Sequence, residues 1–139
     1  MTIADSDYQA LAEFRYHIRR FLRFSEEAAR AARLEPQQHQ LLLALRGLPG
    51  GRTDIGTLAG RLQIQHHSTV ELVDRLAAHG MVTRARSEPD RRHVAVELTA
   101  RGEAALEKLS KAHLEELRRN GPLLVQALES LLRRTHAAE

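Results

Sequence analysis

Arg91 and Arg92 follow the turn formers Pro89 and Asp90, and the polar run Gln65-His66-His67-Ser68-Thr69 opens an amphipathic stretch about twenty residues earlier. Guanidinium groups on a protruding turn suit a phosphate backbone or a narrow minor groove, where the potential is most negative. Imidazole, hydroxyl and carboxamide groups both donate and accept, so a row of them at a helix start can read base edges or phosphates. Other chemistry fits these residues poorly. His66 and His67 point about 100° apart on a helix, whereas a helical chelate needs positions i and i+4. Ser68 lies in no Gly-x-Ser-x-Gly elbow, and consecutive side chains do not converge into a hydrolytic triad. No catalytic constellation, metal site or cofactor motif is predicted.

The elements that position these groups can be read from spacing. Val94, Val96 and Leu98 alternate with His93 and Glu97, predicting a strand, and Thr99 is a good N-cap for the helix that follows. Met81 to Arg86 supplies the partner strand, so residues 82–98 read as a two-stranded wing. Ile55, Leu58, Ala59 and Leu62 mark a short helix capped by Thr53 or Asp54, and Gln63-Ile64-Gln65 forms a turn. A second helix over 66–79 buries Val70, Val73, Leu76 and Ala77 and turns His66, His67, Thr69, Glu71, Asp74 and Ala78 outward; Gly80 stops it. Short helix, tight turn and longer helix make a helix-turn-helix. The predicted fold is therefore mainly α with a small β wing, a winged helix-turn-helix over residues 36–99.

Long amphipathic stretches flank it. Residues 7–33 carry an apolar stripe from Tyr8 to Ala32, and the region 100–137 carries another, with Asn120-Gly121-Pro122 predicted to split it into two helices. These stripes exceed what one small lobe can cover, and a two-fold dimer is the commonest solution. The glycines of Gly47-Leu48-Pro49-Gly50-Gly51 are read as an interhelix loop, because no Gly-Lys-Ser/Thr follows.

Composition narrows the class. The 139 residues make one domain, and 21 Lys+Arg against 18 Asp+Glu leave a net charge of +3, which permits nucleic-acid binding. With 4% aromatic residues, base-stacking platforms for single strands are disfavoured and duplex is expected. The absence of cysteine excludes disulfides and thiol redox sensing, and with no signal peptide or apolar span a cytoplasmic, membrane-free protein is expected.

In this order the motifs resemble the MarR family of bacterial transcription regulators. The matching residues are Leu34-Glu35-Pro36-Gln37-Gln38, Leu58-Ala59, Leu72-Val73-Asp74-Arg75-Leu76, Gly80-Met81-Val82-Thr83-Arg84, Asp90-Arg91-Arg92, Leu98-Thr99 and Gly102. The resemblance implies a homodimer joined by its N- and C-terminal helices and binding to pseudo-palindromic double-stranded DNA near promoters, as in a repressor. It also implies release by a small phenolic or anionic effector entering between the dimerisation and DNA-binding regions. By the same resemblance Arg92 probes the minor groove and pairs with Asp74; Arg91 is placed for phosphate, Arg75, Arg84 and Arg86 are candidates for phosphate contacts or internal pairs, and Asp90 orients the turn. Tyr16, His17, Arg20 and His39 fall on helices that line the family's effector pocket. The rival reading is a winged-helix protein-interaction module without DNA binding, which would have no need of Arg91 and Arg92 at an exposed tip.

Overall fold

The computed structural model describes residues 1–86 and 94–137. Five α-helices and three short strands follow in the order α1 (Asp5–Ala31), α2 (Pro36–Arg46), β1 (Arg52–Thr53), α3 (Ile55–Leu62), α4 (His66–Ala78), β2 (Val82–Arg86), β3 (Val94–Leu98) and α5 (Ala100–Ala137), with a 3-10 turn at Pro49–Gly51 between α2 and β1. They form two compact units, one of Ala29–Ser110 and one of Met1–Ala28 with Lys111–Glu139.

The first unit is the winged lobe. Its core is Leu41, Leu42 and Leu45 of α2, Leu58 of α3, Val73 and Leu76 of α4, Val96 of β3 and Leu106 and Leu109 of α5, all buried. Helix starts follow their local chemistry. Pro36 occupies the first turn of α2, where its missing N–H costs nothing, and Glu35 and Gln38 close a capping box. Asp54, not Thr53, caps α3: its Oδ1 accepts from Thr57 N at 2.7 Å, while Thr53 belongs to a strand. That strand has no signature in the sequence. β1 is only two residues long and pairs antiparallel with β3 (Arg52 opposite Glu97, Thr53 opposite Val96), making β3 the centre of a three-stranded sheet.

The root of the wing is locked by Thr99. Its Oγ1 donates to Gly80 O at 2.6 Å and accepts from Gly102 N at 3.0 Å, while its own N–H donates to Met81 O at 3.0 Å. The α5 backbone thereby sits so close to Met81 that a β-carbon on Gly102 would lie 2.1 Å from Met81 O.

The second unit is built from most of α1 and the C-terminal two thirds of α5. Phe14, Ile18, Phe21 and Ser25 form the covered stripe of α1, and His113 of α5 closes on it: its Nε2 lies 2.8 Å from Ser25 Oγ and its ring meets Phe24 edge-on at 5.3 Å. The stripe is wider than its cover. Tyr8, Leu11, Tyr16 and Leu22 of α1 and Leu114, Val125, Leu128 and Leu132 of α5 remain exposed.

Contrary to the sequence-based expectation, Asn120-Gly121-Pro122 does not split the C-terminal region. α5 is one helix of 38 residues with Pro122 inside it. Proline removes the bond to the carbonyl of residue 118, but Arg118 is exposed and water can take that carbonyl. Half-buried Leu124 and buried Ala127 continue the apolar face beyond the proline, so packing favours continuing the helix.

Candidate nucleic-acid interface

The turn between α3 and α4 determines what α4 presents. Gln63 adopts the left-handed conformation (φ 56°, ψ 43°), Gln63 N donates to Gly60 O and Ile64 N to Ala59 O, and the chain reverses within three residues. Thr69, Leu72, Val73 and Leu76 then form the buried stripe of α4. Gln65, His66 and His67 are exposed and Ser68 is half-buried, so the first turn of the helix offers amide, imidazole and hydroxyl groups outward.

Thr69 corrects the sequence reading, which turned it outward with the base-reading set. It is fully buried, with its Oγ1 donating to Gln65 O at 3.0 Å, so it stabilises the start of α4 from within and presents nothing to a ligand. Its position was legible: Thr69, Leu72, Val73 and Leu76 fall at i, i+3, i+4 and i+7.

The wing is tied to α4 through Arg84. Alternation along β2 puts Arg84 on the face that carries Val82, opposite Val96, and from there its guanidinium bonds the carboxylate of Asp74. Both side chains are partly exposed, so this pair fixes geometry more than it adds stability; exposed pairs contribute about 0–1 kcal/mol. The sequence reading gave Asp74 to Arg92; Arg92, Asp90 and Arg91 lie outside the described residues. Arg86 ends β2 and Arg75 is exposed on α4. Arg52 on β1 meets Glu97 of β3 at 3.0 Å, a cross-strand pair that sequence reasoning missed because β1 is too short to show a pattern.

Of the residues proposed for an effector, three lie in the second unit. His17 Nε2 is 3.0 Å from Glu13 Oε1, Tyr16 packs against the His17 ring at 5.3 Å, and the Arg20 guanidinium stands 5.8 Å above the Tyr16 ring. His17 and Arg20, with Phe21, Glu116, Asn120 and Leu124, line a cavity of about 20 Å3, room for a single water. Tyr16 is exposed instead. His39 lies in the other unit, 2% exposed in the core of the winged lobe, its Nδ1 accepting from Gln40 Nε2 at 3.4 Å.

A helix-turn-helix followed by two antiparallel strands, with polar groups on the exposed first turn of the second helix, defines a winged helix-turn-helix lobe. Comparisons agree. Residues 34–93 match the model of the MarR family. AbsC, a MarR family transcriptional regulator from Streptomyces coelicolor, superimposes with a TM-score of 0.78 at 20% identity over 99% of this chain and 97% of its own. A mutant of MarR from E. coli complexed with operator DNA gives 0.68 at 23% identity, covering 87% of this chain and 89% of that one. BpsR of Bordetella bronchiseptica, whose DNA binding is regulated by 6-hydroxynicotinic acid, gives 0.65 at 23% identity over 90% and 91%. No curated protein matches in sequence. Residues 34–93 thus carry a MarR-type winged helix-turn-helix segment, and the chain shares the fold of these regulators along most of its length. No helix among the described residues is long and apolar enough to cross a membrane.

Proposed function

We propose that this chain is a MarR-family transcription regulator, a cytoplasmic homodimeric repressor that binds a pseudo-palindromic operator. Gln65, His66, His67 and Ser68 read base edges in the major groove, Arg75 and Arg86 take phosphates, Arg84 holds the wing on α4, and Asp90, Arg91 and Arg92 form the wing tip, with Arg92 in the minor groove. The observation that carries this reading is the first turn of α4: a row of exposed polar groups on a helix whose other face is anchored by Thr69, Leu72, Val73 and Leu76. The Arg84–Asp74 pair supports it by tying the wing to that helix. Dimerisation is supported by the exposed leucines of α1 and α5, which a second copy would cover.

Control by a small phenolic or anionic effector is supported by the regulation of BpsR by 6-hydroxynicotinic acid and by the Arg20 guanidinium that lines the α1–α5 cavity. That cavity is too small for such a molecule as it stands, so entry must part α1 from α5.

The experiment is selection of bound fragments from random duplex by the purified protein, followed by binding isotherms on the selected and scrambled sequences at several salt concentrations. A selected palindrome bound at least a thousandfold more tightly than scrambled DNA supports the reading. Equal binding to both, or none, rejects it in favour of a protein-interaction module.

A further inference from the structure

The winged lobe carries a cleft that the DNA interface does not use. Two adjoining hollows, of about 350 and 280 Å3, share Gln40 of α2 and Arg61 and Leu62 of α3 in their walls. Each is open to solvent and near the lower end of the range of small-molecule sites. Leu43 and Leu48 add apolar wall to the first hollow, and Leu43 is 46% exposed. No acidic residue lines either hollow, and among the described residues Arg61 has no carboxylate partner. A guanidinium with its fork of donors unclaimed, beside the carboxamides of Gln37 and Gln40 and a leucine wall, is complementary to a carboxylate attached to a hydrocarbon body.

We infer that this cleft is a binding site for small amphipathic carboxylates. Arg61 takes the carboxylate and Leu43, Leu48 and Leu62 cover the hydrocarbon. The site shares no residue with the His17–Arg20 cavity. It also reaches the reading element: the second hollow is walled by Ile64, in the turn after left-handed Gln63, and by Leu72 of α4. An occupant therefore touches the turn that sets the first residues of α4. It will change DNA affinity to the extent that it binds the DNA-competent form better or worse than the other.

The test is an amide chemical-shift titration of the full-length 15N-labelled protein, free of DNA, with 4-phenylbutyrate as probe and 4-phenylbutanol as its uncharged counterpart. Because no DNA is present, the result stands apart from the operator reading. The expected outcome is saturable shifts confined to α2, α3 and the α3–α4 turn, weakened about tenfold by Arg61→Gln and by the uncharged probe. Leu43→Gln, at an exposed position that leaves the core intact, should weaken binding severalfold and serves if Arg61→Gln fails to fold. Shifts confined to α1 and α5, equal affinity for acid and alcohol, or no binding up to about 10 mM would each overturn the inference. So would an Arg61→Gln variant that binds duplex DNA less tightly yet gives an unchanged titration, which would make Arg61 a phosphate ligand.

Discussion

Gly102→Ala probes the join between wing and α5, and its cost can be worked out from contacts. The added methyl would lie 2.1 Å from Met81 O, 3.0 Å from Met81 C and 3.2 Å from Leu98 Cδ2. Backbone cannot swing aside as a flexible side chain can, so the start of α5 and the residue before β2 must part by on the order of 1 Å. Overpacking of this kind costs about 1–3 kcal/mol, and weakening the Thr99 N to Met81 O bond adds about 1 kcal/mol. Against this, alanine gains about 1 kcal/mol over glycine inside a helix. The net expectation is about 2 kcal/mol of destabilisation. With an unfolding entropy of about 2.1 cal/mol/K per residue, that lowers Tm by about 7 °C for this chain length. Thermal and urea unfolding at one fixed protein concentration measure it, with Gly60→Ala as the control. Gly60 is helical with nothing within 4 Å of its would-be methyl, so that variant should gain about 0.5–1 kcal/mol. If Gly102→Ala is as stable as the parent while Gly60→Ala behaves as stated, the close packing of Gly102 on Met81 is wrong.

Three further outcomes follow from the interface. His67→Ala should narrow the gap between operator and scrambled duplex by about 1–3 kcal/mol, whereas Thr69→Val, which removes a buried hydroxyl, should cost about 1 kcal/mol of stability and leave that gap unchanged; isotherms and urea melts separate the two. Asp74→Ala should change global stability by less than about 1 kcal/mol yet weaken DNA binding, and a double-mutant cycle with Arg84→Ala should show non-additive affinities; additive ones would deny the tether. The parent chain should sediment as a dimer and Leu128→Glu with Leu132→Glu as a monomer; a dimeric double variant would remove the C-terminal part of α5 from the interface, and a monomeric parent would reject the proposed dimer.

What the sequence made legible was whatever has a period or a cap. The stripe of α3, the alternation of β3, and the caps at Asp54 and Thr99 all depend on residues within a few positions of each other, so local chemistry suffices. The Pro122 expectation failed because a local breaker competes with packing that extends along α5, and one lost hydrogen bond on an exposed face is a small term. β1 escaped notice because it exists only by pairing with β3, some forty positions away in the chain. Arg84 was a candidate for an internal pair, but that its partner would be Asp74 follows from the register of β2 on β3, which no sequence spacing reveals.

The strand order β1-β3-β2 has a consequence for solubility. With β3 in the centre, the sheet has two outer edges, and an unpaired edge invites another chain to add to it. One edge is the two-residue β1, too short to template a partner, and the other is β2, whose sequence Val82-Thr83-Arg84-Ala85-Arg86 carries two arginines. Charged residues in an edge strand disfavour its pairing with a second copy of the same strand. Neutralising both arginines to study DNA contacts would therefore also remove a guard against self-association, and light scattering should accompany any such variant before its weaker binding is assigned to lost phosphate contacts.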